Sequence, residues 1–65
     1  MPTQNNEVFL KEREAAEVTR LSVHTLRRRR FEGREPAYVK IGASVRYALG
    51  DLQDFMAKHR IDPEE

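Results

Sequence analysis

Four consecutive arginines, Arg27 to Arg30, are the residues of this chain best equipped for chemistry, and that chemistry is the recognition of anions. A guanidinium is planar and permanently charged, and its fork of donors matches two phosphate oxygens or the O6 and N7 atoms of guanine. Taken alone, such a run fits a disordered basic tract, a localisation signal or one helix that meets something anionic. Its surroundings narrow the choice. Between Val23 and Tyr47 the chain has seven basic residues, including Arg34, Lys40 and Arg46, against Glu32 and Glu35, a net of +5. The 65 residues together carry only +1, because the acidic surplus lies toward the two ends. A segregated basic centre is the footprint of a nucleic-acid binder; the competing reading is an ordinary solvated surface.

Other chemistries find no residues to carry them. Cysteine is absent, which excludes disulfides and thiolate metal sites, and His24 and His59 are too far apart in sequence to suggest a zinc clip. No paired acids, nucleophile with a base, or phosphate-binding glycine loop is recognisable, so no enzyme activity, cofactor or metal is expected. No apolar run approaches the ~20 residues needed to cross a bilayer, and MPTQNNEV does not read as a secretory signal. These features lead us to expect a cytoplasmic protein that does not engage a membrane.

The elements that must position the arginines are short. A chain of this length is at most one domain with a small core. Residues 1–8 read as a flexible N-terminal tail, 9–60 as the folded domain and 61–65 as a C-terminal tail. EREAAEVT (12–19) predicts a helix with Ala15, Ala16 and Val18 turned inward; Glu14 supplies half of a capping box, since Lys11 is a poor N-cap. After the break at Arg20-Leu21, Ser22 is a strong N-cap for a second helix from Val23 to about Phe31, and Gly33 suits a left-handed residue just past its end. YVKIGASVRY predicts two strands around a Gly42-Ala43-Ser44 turn, with Val39, Ile41, Val45 and Tyr47 as the core face and Lys40 and Arg46 together on the other. GDLQDFMAKHR (50–60) predicts a third, amphipathic helix packed through Leu52, Phe55 and Met56. Helix, turn, helix, hairpin, helix makes a small α+β domain of winged helix-turn-helix plan, with a two-stranded β-hairpin wing and a C-terminal helix.

At about 100° per residue, the second helix splits its arginines. With Leu26 toward the core, His24, Arg28 and Phe31 fall on the far face and Thr25 and Arg27 on the flanks, while Arg29 and Arg30 turn inward. His24, Thr25, Arg27 and Arg28 are therefore candidates for base edges or flanking phosphates, although a histidine there can also be merely exposed. Arg29 and Arg30 are candidate phosphate contacts or structural residues with their stems laid on the core. Phe31 either ends the helix and folds back or covers an interface. Lys40, Ser44 and Arg46 form the basic face and tip of the hairpin, suited to DNA or, for the two charges, to guarding a strand edge.

EREAAEVTRLSVHTLRRR followed by GREPAYVKIGASVRYALGDLQDFM resembles the excisionase-like and AlpA-like helix-turn-helix proteins, relatives of the MerR DNA-binding domain. The likeness spans about residues 9–57, through Glu14-Ala15-Ala16-Glu17, Leu21 to Leu26, Tyr38 to Tyr47 and Asp51-Leu52-Gln53-Asp54-Phe55. It implies a winged helix-turn-helix that binds double-stranded DNA, with Ser22 capping the recognition helix, His24, Thr25, Arg27 and Arg28 toward the major groove, and Lys40, Ser44 and Arg46 in the wing. Three departures stand out. Arg20 replaces the usual turn glycine, so it either adopts a left-handed conformation or alters the turn. Lys11 replaces the usual N-cap threonine of the first helix. Arg29 stands where a tryptophan often flanks the core, with Phe31 as a candidate substitute.

Proteins of this kind that are little more than the winged domain often act as recombination directionality factors. The resemblance thus implies an excisionase that binds and bends attachment-site DNA of a mobile element, with an integrase as partner and cooperative self-association on DNA. An AlpA-like transcriptional regulator uses the same surface. A protein-interaction module, antitoxin or adaptor, with a basic face is the reading from another class.

Overall fold

One hydrogen bond opens the helical part of the protein: Glu14 Oε1 accepts the backbone N–H of Lys11 at 2.8 Å. It starts α1 (Glu12–Thr19) in the computed structural model, which describes residues 8–61. The tails expected at 1–8 and 61–65 lie outside those residues except for Val8 and Ile61. Val8 is held, its carbonyl accepting the Leu49 N–H at 2.8 Å. α1 turns Ala15 fully into the core and Ala16 partly, but Val18, expected inward, is exposed. Thr19 closes the last turn by donating its hydroxyl to the Ala15 carbonyl at 2.9 Å. Arg20 then takes φ +62°. Of the two expectations for this residue, the left-handed one holds, at a steric cost glycine would avoid.

Ser22 begins α2 (Val23–Phe31), its Oγ accepting the Thr25 N–H at 3.0 Å. The other end closes through Gly33 at φ +72°. There the N–H of Gly33 reaches the Arg30 carbonyl and that of Arg34 the Arg29 carbonyl, at 3.0 and 2.8 Å. This is the double bond pattern of a Schellman stop, which satisfies the last carbonyls of the helix.

The sheet corrects the hairpin expected from sequence in two ways. First, β1 (Phe9–Leu10) joins β2 (Val39–Ile41) and β3 (Ser44–Ala48) in an antiparallel sheet of order β1-β3-β2. Two residues are too few to show a strand period. Second, the turn holds two residues, Gly42 and Ala43, with Gly42 at φ +61°, so Ile41 pairs with Ser44, Lys40 with Val45 and Val39 with Arg46. Opposed residues share a face, and a slip of one residue exchanges faces. Ser44, expected in the turn, starts the strand instead. Val39 and Ile41 consequently leave the predicted core face; Ile41 is 67% exposed, while Tyr47 is fully buried and Val45 packs beside it.

α3 (Leu49–Lys58) follows β3 directly and contributes Leu52 and Phe55 to the interior. Ala15, Leu26, Tyr47 and Leu52 form the centre, with Leu10, Ala16, Leu21 and Val45 around them. Among the described residues the chain is thus a small α+β structure of three helices and one three-stranded antiparallel sheet. No helix among them is long and apolar enough to cross a membrane.

Candidate nucleic-acid interface

Each of the four arginines of α2 meets a different environment. Arg30, turned inward, donates from one Nη to Glu12 Oε2 at 3.1 Å and to the Tyr47 hydroxyl at 3.0 Å. Its guanidinium also lies 5.7 Å from the Tyr38 ring centroid. The buried tyrosine thereby gains a polar partner, and the arginine is held by three side chains at once, from α1, β3 and the loop before β2. Arg29 sits over the Phe55 ring, 5.0 Å from its centroid, and donates from Nε to the Glu35 carbonyl. Its guanidinium thus covers α3 at the position where the resemblance led us to expect an aromatic residue. Both side chains, candidate phosphate contacts by sequence, have intramolecular work that their inward orientation requires.

Arg27 is more exposed but also engaged. Its Nε lies 3.1 Å from both Glu12 oxygens and its Nη2 is 3.0 Å from Oε1, although 63% of the side chain remains in solvent. Glu12 is the hub. The hydrogen bond from Arg27, opposed by burial and reinforced by Arg30, holds its carboxyl below the usual carboxylate range. Arg28 stands apart, exposed on the far face and without an ion-pair partner among the described residues. His24, one turn earlier, is exposed as well. Thr25 is half-buried, its hydroxyl accepting a bond from Ser22 Oγ at 2.9 Å, so it belongs first to the cap.

The hairpin divides its basic residues. Because Lys40 pairs with Val45 and Arg46 with Val39, Lys40 and Arg46 occupy opposite faces, contrary to the shared face expected from a three-residue turn. Arg46 is half-buried and donates to the Val45 carbonyl at 2.9 Å. It lines a groove with Ser44 beside the hairpin turn, Arg27 and Val23 of α2, and Lys11, Glu12, Arg13 and Glu14 at the start of α1, four basic residues against two acidic ones. Lys40 does not line this groove.

Lys11 and Arg13 escaped the sequence reading, which weighed charge only between Val23 and Tyr47. Their place next to Glu12, whose carboxylate docks onto α2, was the available signal once α1 was drawn against that helix. Among the described residues no group of three His, Asp or Glu side chains converges in a way that could hold a metal ion.

No protein-family model matches the chain, and comparison with curated proteins and with solved structures returns no similar protein. The family resemblance therefore rests on the motifs quoted from the sequence.

Proposed function

We propose that this protein binds double-stranded DNA sequence-specifically as a winged helix-turn-helix, with α2 as the recognition helix and the β2–β3 hairpin as the wing. One observation carries the reading: of four adjacent arginines, Arg29 and Arg30 are absorbed by the fold, whereas Arg28 is presented to solvent with His24 on a capped helix. An unpaired guanidinium so placed is free for guanine O6 and N7 when the helix enters a major groove. The groove beside α2, where Lys11, Arg13, Arg27 and Arg46 outnumber Glu12 and Glu14, supplies cations for a backbone phosphate, which positions the helix without reading sequence.

Within this reading the biological role is excision: a cytoplasmic, nucleoid-associated recombination directionality factor that bends attachment-site DNA for an integrase and binds adjacent sites cooperatively. The family resemblance supports that role.

Fluorescence anisotropy on duplex fragments flanking its own gene tests the binding. Sequence-specific association with steep salt dependence is expected; no association at ~50 mM salt, where phosphate contacts are strongest, would sink the reading. A circularisation PCR after overexpression tests excision, since DNA binding without an excised circle assigns the protein to transcriptional regulation.

A further inference from the structure

Phe31 is 92% exposed, the most exposed large apolar side chain of the described residues. The structure rejects the fold-back considered from sequence, because α2 runs through this residue and closes only at Gly33. Phe31 makes no ring contact among the described residues. Its angular position is specific. With His24 as origin, Arg27 lies near −60°, Arg28 near +40° and Phe31 near −20° at about 100° per residue. The exposed ring thus stands in the same stripe as the outward arginines, one turn further along.

Charge decides what this stripe can receive. A second copy approaching by the same face would bring the unpaired Arg28 against its equivalent, Arg27 being already paired with Glu12, whereas a polyanion complements it. Three residues of helix advance about 4.5 Å, close to the ~3.4 Å between successive bases of one strand. A side chain at 31 therefore addresses a base step next to one addressed from 28. The apolar group available on a major-groove edge is the C5-methyl of thymine, and phenylalanine is among the side chains that contact it.

We propose that Phe31 is a specificity residue that packs on a thymine methyl adjacent to the guanine read by Arg28. The inference rests on the DNA-binding reading above and deepens it. Arg28 supplies the directional hydrogen bonds; Phe31 supplies discrimination for a methyl group that no charge can sense.

The test uses the duplex defined by footprinting, synthesised with each thymine in turn replaced by deoxyuridine, which removes only the methyl. At one thymine next to the Arg28-dependent guanine, deoxyuridine is expected to weaken wild-type binding roughly fourfold, the scale of burying one methyl. Phe31→Ala should bind both duplexes alike, and Phe31→Leu should retain part of the preference. The exposure of Phe31 means that its thermal midpoint should stay that of the wild type. A deoxyuridine penalty that survives in Phe31→Ala, or thymine-duplex affinity equal to wild type, overturns the proposal. So does self-association in sedimentation that Phe31→Ala abolishes while the deoxyuridine series stays flat. If the wild type binds no fragment specifically, the DNA-binding reading itself has failed; if it binds but ignores the methyl, only the role of Phe31 has.

Discussion

Glu12 and Arg27, from different helices, form a forked ion pair in which Nε lies 3.1 Å from both carboxylate oxygens and Nη2 3.0 Å from one of them. Arg30 completes the cluster from the inner side of α2 at 3.1 Å. One carboxylate thereby ties the first two helices together at their surface and orients the arginine that borders the groove.

Glu12→Gln should therefore destabilise the protein by about 1–2 kcal/mol, between an exposed pair and a fully buried one. The sign of its pH dependence follows from the lowered carboxyl of the folded state. That contribution is present above the ordinary carboxylate range and is lost as pH falls through the folded value. Thermal melts of both proteins at pH 7 and pH 3 should show the gap closing in acid; a gap of equal size at both would show that the charge of Glu12 is not its cause.

Arg20 occupies a left-handed conformation that costs an ordinary residue roughly 1–2 kcal/mol, part of which glycine repays as lost chain entropy. Arg20→Gly is expected to raise stability by about 0.5–1 kcal/mol, a thermal midpoint gain of roughly 3–6 °C for a domain this small. A lower midpoint would mean that the arginine side chain contributes more than its backbone costs.

The two-residue turn makes a prediction opposite to the one drawn from alternation alone. Ile41→Ser should be nearly neutral for stability, within about 0.5 kcal/mol, as for other exposed sites. Val45→Ser should cost about 1–2 kcal/mol, because that side chain packs on the core. Urea denaturation of the two variants measures the difference, and the reverse order would require the other register.

What could be read from residues alone divides along physical lines. The limits of α2 were legible because Ser22 and Gly33 are strong local signals, and the inward turn of Arg29 and Arg30 followed from helical periodicity. The hairpin faces were misjudged because period two carries no phase of its own: one residue more or less in the Gly42-Ala43 turn decides whether Ile41 or Lys40 lies beside Val45. The pairing of β1 and the docking of Glu12 on Arg27 depend on contacts between distant segments, to which no local pattern points. Arg27 was correctly placed on a flank of the helix, but its partner was invisible from α2.

The division of the four arginines is tested most directly by measuring DNA affinity and stability together for Arg28→Ala and Arg30→Ala. Arg28→Ala should keep the wild-type thermal midpoint and lose about 1–3 kcal/mol of binding to the specific duplex, with relaxed preference at one or two base pairs. Arg30→Ala should lower the midpoint by removing the bonds to Glu12 and Tyr47. Wild-type affinity in Arg28→Ala, with its fold intact, would contradict the assignment of the outward arginine to DNA.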